Sequence, residues 1–167
     1  DWVRAIRHGV TPEGRPLLIM PSQNYNHLSG DDLGAIIAYV KSVPAVVNEP
    51  GSSDVQLLGR ALFVAGQIDA LPAESIDHSA PAPAAVAPGA TPQHGKYLIT
   101  IGGCADCHNT ALSGGPMTGA PPDAPPAANL TPQSELNGWT DADFIATMRT
   151  GTNPAGKQLN AFMPYKY

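Results

Sequence analysis

The most reactive residue types in this chain fall in one run, Cys104-Ala105-Asp106-Cys107-His108. Two thiols three positions apart, with an imidazole directly after the second, are the pattern of covalent c-type haem attachment. Each thiol can add to one vinyl group of the macrocycle, so a single turn of backbone carries two thioether bonds. The adjacent His108 is then delivered beneath the ring as the proximal iron ligand. The chain has 2 cysteines, both in this run, so no thiol remains for a disulfide. A structural zinc site needs about four ligands and typically a second Cys or His pair, and no second pair at that spacing occurs. A thioredoxin-like dithiol belongs to a βαβ setting, whereas the flanks of this run show no strand alternation. The cofactor expected here is haem c, one group in this chain.

An iron held by His108 needs a ligand on its other face. The candidates are Met20, Met117, Met148, Met163 and the four other histidines, His8, His27, His78 and His94. Met148 lies mid-helix beside Ile145 and Arg149, where a core role is expected. Met117 follows His108 too closely to swing to the far side of the ring. Met163 is preceded by a Gly/Pro-rich loop able to cross that side. The histidines read as solvated side chains, with a bis-His haem as the alternative.

An internal repeat supports Met163. Residues 1–25 (DWVRAIRHGVTPEGRPLLIMPSQNY) align with residues 143–167 (DFIATMRTGTNPAGKQLNAFMPYKY) once one residue is inserted before the Met-Pro pair. Asp1, Trp2, Arg7, Gly9, Pro12, Gly14, Leu17 and Met20 match Asp143, Phe144, Arg149, Gly151, Pro154, Gly156, Leu159 and Met163. A lone core Met is ordinary filler, but two loop Met-Pro pairs at matched positions are not explained that way. Met163 is therefore expected to ligate the iron on His108. Met20 is expected to ligate the iron of a first-domain haem whose CxxCH is absent from this chain. The offset is about one domain long, as in one period of a tandem array that starts and ends inside its unit.

The elements that must position these groups are short helices. Ser29 caps an expected helix that carries Leu33, Ile36, Ile37 and Val40 on one face and stops at Pro44. Leu57–Leu71 reads as a moderately amphipathic helix interrupted by Arg60 and Asp69, and residues 72–92 as an Ala/Pro-rich extended linker. His94–Gly103 is a short helix leading into the CxxCH, with Tyr97, Leu98 and Ile101 on its apolar face. Thr140 and Asp143 form a near capping box for a helix to about Thr150. The expected fold is all-α, with short helices and long loops around a covalent haem, incomplete at both ends. The expected domains are 1–47, the end of a first unit; 48–91, a connecting segment; and 92–167, a second unit lacking its last helix. One period also holds every element of a single unit in permuted order, so the helix at 31–43 could close the second unit; approach of Leu33 and Ile37 to Tyr97 and Ile101 would support that.

Composition narrows the class. The 18 prolines and 17 glycines among 167 residues favour long loops, and aromatics are only 6%. A small domain so composed gains from packing on a bulky cofactor. The net charge of −5 argues against nucleic acid and for a positively charged docking partner. No run of about 18 uncharged apolar residues exists, so no transmembrane segment is expected in this chain. The first residue is Asp rather than Met, and the chain reads as processed or cut from a longer one.

GKYLITIGGCADCH, NLTP, GWTDADFIATMRTG and FMP together resemble the class I cytochrome c domain of tandem, multi-haem bacterial cytochromes, notably cytochrome subunits of membrane-bound dehydrogenases. The resemblance implies haem thioethers at Cys104 and Cys107, and His108 and Met163 on the iron. Tyr97, Trp139 and Arg149 are expected at the haem as packing or propionate partners, Arg7 matching Arg149. A His/Met iron has no open position, which implies a one-electron carrier rather than an enzyme. The rivals are a di-haem peroxidase and a haem-based redox or gas sensor. The resemblance further implies a second haem in the intact protein and a redox partner that is a dehydrogenase, another cytochrome or a terminal oxidase. It also implies a periplasmic or extracytoplasmic location, any membrane anchor lying outside this sequence.

Overall fold

Three of the longer helices in this protein start at side chains that satisfy free backbone N–H groups. In the computed structural model, which describes residues 1–49, 51, 55–67, 71–117, 120–121 and 123–166, Ser29 Oγ accepts from Asp32 N–H at 3.1 Å. Thr91 caps the next long helix by accepting from His94 N–H. Thr140 forms a full capping box with Asp143, as the spacing of the two residues requires. The helices are α1 (Trp2–His8), α2 (Ser22–Tyr25), α3 (Gly30–Ser42), α4 (Leu57–Val64), α5 (Pro92–Ile101), α6 (Cys104–His108) and α7 (Asp141–Thr150). Single 3-10 turns occupy Pro72–Ser75 and Glu135–Gly138. Among the described residues there is no strand, only isolated bridges, so the class is all-α. Two helices differ from expectation at their ends. α4 stops at Val64, and Asp69 lies outside the described residues; α5 starts at Pro92, where proline's fixed φ suits a first helical position.

The chain divides into two compact units, Asp1–Gly103 and Cys104–Tyr167. Each contains one copy of the sequence repeat, and the copies share most of their turn hydrogen bonds. α1 and α7 both end in a left-handed glycine, Gly9 at φ 63° and Gly151 at φ 72°. Thr11 N–H donates to Arg15 O at 2.8 Å and Asn153 N–H to Lys157 O at 2.9 Å. Leu17 N–H returns to Gly9 O, and Leu159 N–H to Gly151 O, each at 2.7 Å. The Met-Pro pairs match as well. Ser22 N–H bonds Met20 O at 2.7 Å and Tyr165 N–H bonds Met163 O at 2.8 Å, a three-residue turn with Pro at its centre. The inserted residue is absorbed just before this corner, where the shorter first copy places Ile19 at φ 61°. Tyr167, at the end of the second copy, lies outside the described residues.

In the first unit α2 packs against α1, against the Pro72–Ser75 turn and against α5. The buried apolar side chains among the described residues are Leu28, Leu33 and Ala73, all in this unit. Part of the connecting segment thus builds core, contrary to the expectation of a spacer. Pro72 and Ala73 are buried, and Ala73 Cβ lies 3.4 Å from where a Cβ on Gly9 would be. Residues 81–88 keep the extended, irregular form that their Ala/Pro composition dictates. α3 and α5 line one cleft through Asp32, Ala35 and Ile36 on one side and Tyr97, Leu98 and Ile101 on the other. Tyr97 hydroxyl donates to Asp32 Oδ2 and accepts from Ser29 N–H at 3.2 Å.

Candidate functional site

α6 is one helical turn long, and its spacing decides what it can present. Positions i, i+3 and i+4 share a face, so Cys104, Cys107 and His108 project together. Both thiols are free, Cys104 partly buried and Cys107 exposed. Burial, reinforced by the Asp106 carboxylate and the neighbouring Cys107, pushes the Cys104 thiol above its ordinary range.

His108 is the buried member of the set, 8% exposed. Its Nδ1 lies 2.8 Å from Ala128 O. A carbonyl only accepts, so Nδ1 carries the proton and Nε2 is left with a free lone pair. This is the arrangement by which a metal-binding histidine is oriented and its basicity raised.

The carbonyl is aimed by the loop that follows α6. Asn109 enters at φ 58°, and its side chain holds the turn through Ala111 N–H at 3.0 Å and Ser113 N–H at 3.2 Å. Gly114 N–H then returns to His108 O at 3.0 Å. Gly115 and Ala127 form an antiparallel bridge, and Leu130 N–H bonds Leu112 O at 2.8 Å. Gly114, at φ +69°, sits so close to the returning backbone that a Cβ there would strike Ala127 O and Ala128 C and O. Ala128 and Gly114 were not legible as site residues; the only trace is a Gly-Gly pair in a long loop.

Met163 stands on the Met-Pro corner of the same unit, half-buried, its N–H bonded to Asn160 O at 2.9 Å. Met20 holds the matching corner in the first unit, also half-buried. Met117 is half-buried in the loop after α6, and Met148 half-buried within α7. Trp139 ends the Glu135–Gly138 turn and is half-buried. Arg149 is exposed in the last turn of α7. Its repeat partner Arg7 is 7% exposed and donates through Nη2 to Leu28 O at 2.8 Å. Arg7 is a structural clamp on α3's entry. Tyr97 belongs to the first unit, its hydroxyl engaged by Asp32 and Ser29. His94 Nδ1 is bonded at the Gly89 backbone, His27 is exposed, and His8 and His78 face each other.

In the second unit no described apolar side chain is buried. Phe144, Ile145 and Phe162 are 44%, 49% and 53% exposed. A unit this small rarely stands on its own core and ordinarily needs a staple such as a metal or cofactor. Two thiols on one face, a buried imidazole with an oriented free nitrogen and a surplus of uncovered apolar surface form a donor set that fits a large, apolar, covalently held iron macrocycle.

No family model matches the chain. It is similar to the fructose dehydrogenase cytochrome subunit of Gluconobacter japonicus, 28% identical over 170 residues. The match takes in 90% of this chain and spans about a third (33%) of that relative's length. Among the described residues, no helix is long and apolar enough to cross a membrane.

Proposed function

We propose that this chain is an electron-transfer segment of a c-type cytochrome, holding one haem through Cys104 and Cys107. His108 and Met163 would be its iron ligands, and Met20 would serve a second haem in the intact protein. Bound there, the group supplies a one-electron ferric/ferrous couple. His108 offers Nε2 because Ala128 O holds the proton on Nδ1 at 2.8 Å, and this bond carries the reading. Met163, on a loop corner with Pro164 at its centre, would be the second protein ligand, and a group held by both residues would supply electron transfer rather than oxygen or substrate binding. A thioether there favours the reduced state and raises the potential. Trp139, half-buried before α7, would cover part of the ring edge, and Arg149 at the end of α7 is available to a propionate. The name of the relative supports a dehydrogenase as electron donor and an extracytoplasmic setting, and the net charge of −5 supports docking to a basic surface.

The test is production of the chain in a host with c-type maturation. Haem should remain on the polypeptide through a denaturing gel and be lost in the Cys104→Ala/Cys107→Ala variant. The reduced chain should not bind carbon monoxide rapidly, whereas Met163→Ala should. Rapid binding by the unmodified chain would sink the closed electron carrier and favour a sensor or peroxidase. Absence of any change in Met163→Ala would sink the ligand assignment alone.

A further inference from the structure

The connecting segment meets the first copy of the repeat through two imidazoles. His8, the last residue of α1, and His78, just after the Pro72–Ser75 turn, bring their Nδ1 atoms to 3.1 Å. Their ring centroids are 5.3 Å apart. They line a cavity of about 400 Å³ with Arg4, Val10 and Gly14. His78 Nε2 lies 2.9 Å from Ala73 O, and a carbonyl only accepts, so that nitrogen keeps its proton in every state. With His78 neutral, its Nδ1 accepts from His8 Nδ1–H. With His78 charged, its Nδ1–H donates to His8. One added proton is thus accommodated between the rings; a second sets two N–H groups and two like charges face to face.

We propose that His8 and His78 form a proton-sensitive latch that holds residues 71–78 on the first repeat copy and releases them when both rings are protonated. The surroundings favour release. From α1, Arg4 and Arg7 face His8, and burial, then His78, then these two cations hold the His8 imidazole below its ordinary range. Arg7 is bonded to the carbonyls of Leu28 and Ser29. From the connecting segment Asp77 lies beside His78, but its carboxylate is engaged by Ser79 hydroxyl and N–H. From the Gly/Pro turn the charged groups are Glu13 and Arg15. Glu13 is held low by its own backbone N–H and the Thr11 hydroxyl, with Arg15 and Arg4 beside it. A group whose folded value is depressed contributes stability above its unfolded value, about 6.5 for His, and loses it as pH falls through the folded one. Docking is therefore complete at neutral and alkaline pH and fails on acidification.

What the latch controls is the back of the Met20 corner. Ser22, two residues after Met20, is fully buried, and Ala73 fills the space beside it against Gly9. In the second copy Tyr165 holds the position of Ser22 and lies against Gly151 from within its own chain segment.

The test uses the full chain as matured. Imidazole 15N shifts at neutral pH should show one Nδ1–H shared between His8 and His78, and acidification should abolish that sharing. Amide exchange over residues 71–80, corrected for intrinsic rate, should rise by up to about tenfold per pH unit as pH falls below about 6.5, level off once docked and released forms carry the same protons, and stay flat in His8→Phe. Absence of a shared Nδ1–H at neutral pH would overturn the proposal, and so would pH-independent exchange in the unmodified chain. Equal pH dependence in His8→Phe would also overturn it. Should His8→Phe fail to fold, the imidazole 15N shifts of the unmodified chain decide.

Discussion

Replacing Gly114 by Ala tests whether the loop after α6 orients His108. Gly114 sits at φ +69°, a left-handed conformation that costs an L side chain ~1–2 kcal/mol. The new methyl would meet Ala127 O and the Ala128 carbonyl, all backbone, so the returning strand must shift rather than a side chain rotate. Overpacking of that kind costs ~1–3 kcal/mol. The sum, ~2–5 kcal/mol, lowers the folded-to-unfolded ratio of the second unit by roughly thirty- to several-thousand-fold at 1.4 kcal/mol per decade. Urea titration of the haem-loaded chain should show a lower midpoint with an unchanged slope. The displaced Ala128 carbonyl should also weaken the Nδ1 bond and make His108 a poorer donor, raising the reduction potential further. A variant that unfolds within ~0.5 kcal/mol of the parent, with its potential unmoved, would refute the idea that this close approach aims the carbonyl.

Two further outcomes follow from the α7 end of the second unit. Thr140→Ala removes the side-chain half of the capping box, leaving the residue-140 N–H to Asp143, and should cost ~1 kcal/mol in the same titration. It should also flatten the loss of stability below pH ~4, because Thr140 side-chain and backbone hydrogen bonds are what hold the Asp143 carboxyl below its ordinary value; that contribution is present above the carboxylate range and disappears as pH falls through it. Gly151→Ala should be strongly destabilising, since its methyl would enter the Tyr165 ring, and Tyr165→Ser, which copies Ser22, should relieve part of the loss. A double-mutant cycle should give a favourable coupling of ~1–2 kcal/mol, and additivity within ~0.5 kcal/mol would show that ring and glycine do not conflict.

Legibility in the sequence followed the range of the interaction. The α3 cap at Ser29, the capping box at Thr140 and the repeat could all be read, because each is written in residues a few positions apart or in matched types. The face of α6 could be read for the same reason, three reactive residues within one helical turn. Its orientation could not. Ala128 acts through a main-chain carbonyl twenty residues from His108, and a main-chain group leaves no mark in residue type. Tyr97 shows the converse limit. Its apolar body and position on α5 are visible, yet its hydroxyl bonds Asp32 and Ser29, a pairing no periodicity encodes. Arg7 shows the same limit, since its bond to the main-chain carbonyl of Leu28, twenty-one residues on, leaves no mark in residue type.

The two copies share most of their turn hydrogen bonds, so the Met-Pro corner is a property of the repeated sequence itself. Behind the first corner Ser22 is fully buried, and Pro72 and Ala73, some fifty residues on, are buried beside it, with the His8–His78 pair a few residues further along. If both corners carry methionine to iron, as proposed, the first is the one whose ligand loop can soften without disturbing the other. Acidification should then loosen Met20 before Met163, and in the intact protein the haem served by Met20 should be the first to change its ligation.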